Sequence, residues 1–365
     1  MNGQAHRKIV LVGGGHTHAL VLNALKNGPL ERASVKVINP GKTAPYSGML
    51  PGFVAGHYKR CDLDIDLDAL CAAVGATLVE GRANAIDLDS KQIHLDDGSS
   101  VPYDLASIDV GITSQMHALP GFANYGVPAK PLATFATQWD AFRSKLGVKS
   151  VAVIGGGIAG AELAMAMSHA MRSDPCDTSV KLLDRGKVLS SNSATAQKHM
   201  RRELKKSAVE ILEHVDVAQI TRTAIVLRTG EDIQASFVVG AAGATPHAWI
   251  AQTRLRQQSG FIEIDESLQT SAPDVFAVGD CAHMTFDPRP KAGVYAVRQA
   301  PVLLANIKNA LSGDALQPYR PQSDYLKLVS LGGKRAFGEK RGLGMSGSLI
   351  WRLKDKIDRD FMGQF

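Results

Sequence analysis

Cysteine is scarce in this 365-residue chain: four residues, at positions 61, 71, 176 and 281, with no Cys-x-x-Cys or Cys-x-x-x-x-Cys pair among them. A disulfide scaffold is excluded, a thiol relay has no pair to run on, and a reducing compartment fits this usage best. Long apolar runs are missing too. The longest, Val151 to Met167, is interrupted by Glu162 and a glycine cluster, which suits a strand, turn and helix rather than a membrane span. Only Met1 to Arg7 precede the first apolar strand, so no apolar leader and no targeting signal are expected. Nor is one charge spread in excess along the chain. Of the net +6, five units fall between Arg320 and Phe365, where ten basic residues face five acidic ones. The preceding body is near neutral, which excludes a broad nucleic-acid surface and confines the question of charge to one C-terminal segment.

What is present is glycine, 35 residues, and hydrophobic residues at 45%, enough for two or three ordinary cores. Two segments share one grammar. Lys8-Ile-Val-Leu-Val-Gly-Gly-Gly-His-Thr-His-Ala-Leu and Ser150-Val-Ala-Val-Ile-Gly-Gly-Gly-Ile-Ala-Gly-Ala-Glu each predict a buried parallel strand, a glycine turn and a helix, and a second strand follows each, Ser34 to Asn39 and Ser179 to Asp184. These are β-α-β units of the dinucleotide-binding kind. The fold class is therefore α/β, with two Rossmann-like domains. An alternating hairpin follows each unit (Gln92-Ile-His-Leu-Asp-Asp-Gly; Ala224-Ile-Val-Leu-Arg-Thr-Gly), then a similar line, Tyr103-Asp-Leu-Ala-Ser-Ile-Asp-Val-Gly and Ala235-Ser-Phe-Val-Val-Gly-Ala-Ala-Gly. The Pro- and Gly-rich stretch from Pro120 to Pro131 is the expected crossing between domains.

In both loops the first glycine, Gly13 or Gly155, permits the tight turn, and the second, Gly15 or Gly157, lets backbone approach a pyrophosphate held at a helix start. The third, Gly160, allows close helix packing. At the corresponding point of the first loop stands His18, which must either push its helix outward or point toward the ligand. Asn39 ends the first unit where an acidic residue normally accepts a ribose hydroxyl. Asp184 ends the second and is placed for the adenosine ribose of NAD; with a carboxylate there NADH is favoured over NADPH, although Arg185 beside it suits a 2′-phosphate. Glu162, two residues after Gly160, is a candidate to orient a nicotinamide.

Ser271-Ala-Pro-Asp-Val-Phe-Ala-Val-Gly-Asp280-Cys-Ala, coming after both loops and Gly240-Ala-Ala-Gly-Ala-Thr-Pro, resembles the two-dinucleotide-binding flavoproteins. These are the pyridine nucleotide-disulfide oxidoreductase superfamily, with its type II NADH dehydrogenases. The resemblance implies a glutathione-reductase-like fold with three-layer ββα sheets. It further implies an FAD domain at 1–118 and 246–325, an NAD(P)H domain at 119–245, and a C-terminal docking segment at 326–365. It places Gly13, Gly15, His18, Asn39, Gly279, Asp280 and Val294 on FAD, the Asp280 carboxylate toward the ribitol or pyrophosphate end. Gly155, Gly157, Gly160 and Asp184 fall on the nicotinamide nucleotide. The family's chemistry is hydride transfer from nicotinamide to flavin, which needs orientation rather than a side-chain nucleophile. Glu162, Lys291 and Tyr295, with Tyr46, are the candidates around the flavin or its acceptor, and no metal is called for. Cys281 is expected to be a small buried residue. Electrons leave to an external acceptor, by analogy a quinone, with Arg298 standing where type II enzymes carry a glutamine.

Pro45-Tyr-Ser-Gly-Met-Leu-Pro-Gly, Lys291-Ala-Gly-Val-Tyr-Ala-Val-Arg-Gln-Ala-Pro and Trp351-Arg-Leu-Lys-Asp-Lys-Ile-Asp-Arg-Asp-Phe-Met look like the branch found fused to selenide, water dikinase. That resemblance implies either a free-standing member or one half of a fusion, and a flavoprotein partner module of selenophosphate synthesis as the alternative role. At the C-terminus, Ile350, Leu353, Ile357, Phe361 and Phe365 recur at helical spacing and predict one apolar stripe opposite Arg352, Lys356 and Arg359. Three places are open to such a helix: a membrane interface, by analogy with the type II enzymes, the flavin domain, or a twin subunit in a homodimer.

Overall fold

The computed structural model describes residues 6–174 and 176–365. Met1 to Ala5, most of the polar lead-in, and Pro175 lie outside the described residues. Ten strands build two five-stranded parallel sheets: β1 (Arg7–Val12), β2 (Ala33–Asn39), β3 (Thr77–Glu80), β4 (Leu105–Ile108), β5 (Gly126–Pro128), β6 (Lys149–Ile154), β7 (Thr178–Asp184), β8 (Val209–Glu213), β9 (Phe237–Gly240) and β10 (Val275–Ala277). The first sheet has the order β10-β4-β1-β2-β3 and the second β5-β9-β6-β7-β8. The central strands are the apolar runs before each glycine loop. Val12 is paired with both Ile38 and Ile108, and Ile154 with both Leu183 and Gly240. Strands covered on both faces need apolar side chains at successive positions, so Ile9 to Val12 and Val151 to Val153 are all buried.

One face of each sheet carries helices and the other an antiparallel three-stranded hairpin sheet. Those smaller sheets are Ala83–Asp87, Gln92–Leu95 and Ser100–Pro102 in the first unit, and Val217–Ile220, Ala224–Leu227 and Asp232–Gln234 in the second. The principal helices are α1 (His16–Leu25), α2 (Ile158–Met171), α3 (Gly293–Ser312) and α4 (Ser348–Met362). Because β10 returns to the first sheet, the second unit is an insertion into the first. The two crossings between units pair antiparallel, Thr113 with Thr245 and Ser114 with Ala244. α1 packs on α3, and the Thr17 hydroxyl donates to the Ala296 carbonyl at 2.9 Å, which sets the start of α3 beside the first glycine loop.

After α3 the chain forms an antiparallel sheet, β11 (Lys327–Ser330), β12 (Ala336–Lys340) and β13 (Leu343–Gly347), and ends in α4. The helix forms where the apolar spacing predicts it, but the stripe is divided: Phe361 and Phe365 pack inward and Ile350 lies against Gly338, whereas its middle faces outward. Phe361 is buried, yet Leu353 and Ile357 are each 42% exposed, while Lys354 and Asp358 are buried beside Phe361. Periodicity finds an apolar face without saying what covers it. Here polar pairs hold the inner face: Tyr46 Oη donates to Asp358 Oδ1 at 3.2 Å, Tyr58 Oη to Asp355 Oδ1 at 2.7 Å, and Lys354 Nζ to the Gly48 carbonyl at 2.7 Å. Leu343, Met345, Leu349, Leu353 and Ile357 are left as an exposed apolar surface. No helix among the described residues is long and apolar enough to cross a membrane.

Because only the inner face of α4 is covered, Phe361→Ala should cost about 3 kcal/mol and Leu353→Ala less than about 1 kcal/mol in urea unfolding. Equal costs would mean that Leu353 is covered as fully as Phe361 and that the outer face of α4 is not free.

Candidate functional site

Both glycine loops are built alike. Gly13 and Gly155 adopt φ of +92° and +115°, and a Cβ on either would come within 2.3 Å of the Asp109 carbonyl oxygen or 2.7 Å of the Ala242 nitrogen. Each loop is tied to the end of its second strand. Asn39 Oδ1 accepts from the Gly14 amide at 3.0 Å, and Asp184 Oδ2 accepts from the Gly156 amide at 2.6 Å. Their remaining bonds also go to backbone: Asn39 Nδ2 donates to the Gly41 carbonyl at 2.6 Å, and Asp184 Oδ1 accepts from Gly186 at 2.7 Å. Gly160 lets α2 approach so closely that a Cβ would fall 1.9 Å from the Gly155 oxygen. Gly157 has nothing within 4 Å of where its Cβ would be. Among the described residues no side chain accepts from the first amides of α2, so this helix start is open to an anion.

The first loop departs from that pattern at two points. His18 does not face a ligand: it is fully buried, Nδ1 lies 2.7 Å from the Gly13 carbonyl oxygen and Nε2 lies 2.8 Å from Ser107 Oγ. A carbonyl can only accept, so Nδ1 carries the proton and Nε2 accepts from the serine hydroxyl. Burial pushes the imidazole down to about 4, which keeps it neutral. The histidine takes up the space between helix and sheet that the missing glycine would have closed. The second departure is Asp109, which the glycine pattern does not announce. Its carboxylate accepts from the Thr17 and His18 amides at 3.0 and 3.3 Å. It fills the room above Gly15, where a Cβ would stand 2.2 Å from the carboxyl carbon. The second glycine of this loop therefore makes space for a side chain of the same chain. Burial, followed by the charge of Asp280 and against the pull of the amides, raises the Asp109 carboxyl to about 7.

Near this loop, the turn Gly279–Cys281 and the segment leading into α3 form a narrow cleft of their own, lined by Gly279, Asp280, Arg289, Lys291, Tyr295 and Gln299. Asp280 pairs with Lys130 at 3.0 Å, a lysine contributed from beyond the crossing. Gly293 and Val294 open α3, and a Cβ on Gly293 would lie 3.4 Å from His16 Nδ1. His16, driven to about 4 by burial, sits 5.2 Å from the Tyr46 ring, which stacks on Phe361 at 4.4 Å. Lys291 bonds the Ala282 carbonyl and lies 4.1 Å over the Phe261 ring, and burial lowers its pKa. Tyr295 is buried edge-on to Tyr325. Cys281 is fully buried, its thiol pushed up to about 12 by burial. The helix turns Arg298 to solvent and brings its neighbour inward: Gln299 accepts from the Gly279 amide at 2.8 Å.

Glu162 stands apart from the nucleotide loop. Its Oε1 accepts from the Ser330 amide at 2.5 Å, and Lys354 and Asp358 of α4 are its charged neighbours. Burial raises it to about 7. On the second turn of α2 the side chain points toward the C-terminal segment, so its place two residues after Gly160 does not make it part of the amide cradle. Among the described residues all four cysteines are free, and no group of three or more His, Cys, Asp or Glu side chains could hold a metal.

Residues 7–300 match the pyridine nucleotide-disulphide oxidoreductase family. The chain belongs to that family. It is an FAD- and pyridine-nucleotide-dependent oxidoreductase without a redox-active disulfide pair. A similar curated relative is the NADH dehydrogenase-like protein YutJ of Bacillus subtilis, 24% identical over 91% of this chain and 92% of its own length. Putidaredoxin reductase of Pseudomonas putida is 26% identical over 90% of this chain and 81% of the relative. Among solved structures, NDH2 of Plasmodium falciparum in complex with NADH shares the fold with a TM-score of 0.82 at 12% identity, covering 98% of this chain and 97% of that one.

His18 gives a pH signature. Its folded value of about 4 lies below the ordinary 6.5, so the unfolded chain takes up the proton first. The stability it secures is present above pH 6.5 and is lost as pH falls toward 4, by up to about 3 kcal/mol. His18→Gln should be less stable than the native chain at pH 7, and the gap in denaturant unfolding should narrow on acidification. A gap independent of pH would contradict this assignment.

Proposed function

We propose that this protein oxidises NAD(P)H, NADH by preference, and passes the electrons through FAD to a small external acceptor, a quinone first. The observation that carries the reading is the pair of glycine-turn helix starts, one on each parallel sheet, with no cysteine pair to divert electrons into a disulfide. At α2 the open amides from Gly157 to Gly160 hold the nucleotide pyrophosphate, and Asp184 offers its remaining lone pairs to the adenosine ribose. A carboxylate there repels a 2′-phosphate, which favours NADH.

The residues present also fit FAD. The Gly15 and His16 amides at the start of α1 have no acceptor among the described residues, Gly279 lies against Asp109 beside that helix start, and Asp280 of the same turn pairs with Lys130. FAD, when bound, supplies the two-electron carrier that accepts hydride and releases electrons to the acceptor. The chain's part is to bind and orient. Asn39 fixes the loop, Val294 and Gly293 present the positive end of α3, and Lys291 and Tyr295, each held by neighbours, form walls of the cleft. Glu162, the third candidate, acts from the α4 side, where it is held by the Ser330 amide. On this reading segments 1–118 and 246–325 carry FAD, 119–245 carries the nicotinamide nucleotide, and 326–365 docks. Association with selenide, water dikinase rests on the sequence motifs alone.

Anaerobic addition of NADH to the yellow protein should bleach the flavin, and turnover with a panel of quinones, ferricyanide, oxygen, selenium compounds and a ferredoxin then ranks the acceptors. If neither NADH nor NADPH bleaches it, the dehydrogenase reading fails. The exposed apolar surface of β13 and α4 is proposed to rest on a membrane interface, with Arg352 beside it. Co-sedimentation with anionic vesicles should then fall at least about fivefold in a Leu349→Asp, Leu353→Asp double variant. Unchanged sedimentation would remove the membrane from the scheme.

A further inference from the structure

The internal duplication supplies a control inside the same molecule. Asp109 follows β4 as Ala241 follows β9, and the equivalence holds at the backbone: the Asp109 amide donates to Val12 and the Ala241 amide to Ile154, both at 2.8 Å. At Ala241 a methyl group leaves the start of α2 open. At Asp109 a carboxylate takes two of the amides at the start of α1, the ones belonging to Thr17 and His18. Two glycines shape its pocket. A Cβ on Gly15 would stand 2.3 Å from both carboxylate oxygens, and one on Gly279, at φ +67°, 2.4 Å from Oδ1. The side chain is 4% exposed, and no cation pairs with it among the described residues. A resident anion thus occupies part of the cradle that a dinucleotide pyrophosphate, itself anionic, requires.

We propose that Asp109 is a proton-operated latch on the flavin site: as a carboxylate it competes for the α1 amides and the glycine pocket, and FAD binds tightly only when the side chain is neutral and withdrawn. This rests on the reading of the first loop as the FAD site. The surroundings set the sign. Around Asp109, Asp280 lies on the Gly279–Cys281 turn with its charge engaged by Lys130, and the Cys281 thiol is held neutral by burial. From α1, His18 presents only its amide, because both ring nitrogens are engaged elsewhere, and His16 is kept neutral by burial. Lys291 is bonded to the Ala282 carbonyl. No neighbour therefore offers Asp109 a compensating positive charge, and burial brings its titration to about pH 7.

The test is the dissociation constant of FAD, read from flavin fluorescence on flavin-depleted full-length protein, between pH 6 and 8.5. Native protein should bind FAD at least about tenfold more weakly at pH 8.5 than at pH 6, because each pH unit above the titration costs up to about tenfold. Asp109→Asn and Asp109→Ala, the second copying Ala241, should flatten that slope and bind about tenfold tighter than native protein at pH 8.5. Binding of NADH at the second loop, which has no such carboxylate, should lack this pH step. A flat native profile, or weaker FAD binding by both variants at every pH, would overturn the latch while leaving the flavin site intact. Failure of the native protein and both variants to bind FAD at any pH would instead remove the flavin reading itself, and the latch with it.

Discussion

A helix start leaves its first amides without partners, and in this protein much follows from how two such starts are answered. Each is placed at the carboxyl edge of a parallel sheet by a strand too apolar to be anywhere but the centre and by a glycine turn too tight for a side chain. At α2 the amides are left to solvent or ligand. At α1 two of them are answered from within, by Asp109. Gly15 and Gly279 then become necessary because the carboxylate lies against them. One duplicated architecture thus yields two unequal helix starts, and the inequality lies in the side chains of Asp109 and His18 rather than in the fold.

The C-terminal segment depends on polar contact in the same way. Lys354 and Asp358 are buried as a pair at 2.6 Å, with Tyr46 and the Gly48 carbonyl on one side and Glu162 nearby. Burying two charges is costly unless their hydrogen bonds are nearly complete, so such a network defines one docked geometry more sharply than an apolar stripe would. It joins three parts of the chain: the loop after β2, the first turns of α2 and the last helix. Docked by its charged face, α4 shows Leu349, Leu353 and Ile357 outward. The basic excess of the last 46 residues is partly consumed in these internal pairs, including Lys356 with Asp360 and Arg359 with Asp355.

The fold was legible where the signal is local. Runs such as Ile9 to Val12, glycines at fixed offsets and alternating hairpins depend on residues within about ten positions of one another, and the two ββα units form as those patterns predict. The candidate site was legible in its backbone and less so in its side chains. Asn39 and Asp184 stand at the strand ends, but His18 is spent on Gly13 and Ser107, Glu162 on Ser330, and the inward residue of α3 is Gln299 rather than Arg298. Along a helix one step in sequence is about 100° of direction, so motif position alone places a residue on the right turn and the wrong side. Asp109 did carry a signal, since the two similar lines after the hairpins align Asp109 with Ala241.

From the amino-acid order alone came the α/β class, the duplication, the two glycine turns and the lack of a cysteine pair, because each is set by short-range periodicity, backbone sterics or composition. Only the tertiary structure decided which charges meet: Asp109 with amides 92 positions earlier, Lys130 with Asp280 across 150, and Tyr46 with Asp358 across 312. Those encounters depend on how the sheets and the last helix close on one another. Such closure is a balance of burial and hydrogen bonding over the whole chain, and no window of sequence contains it.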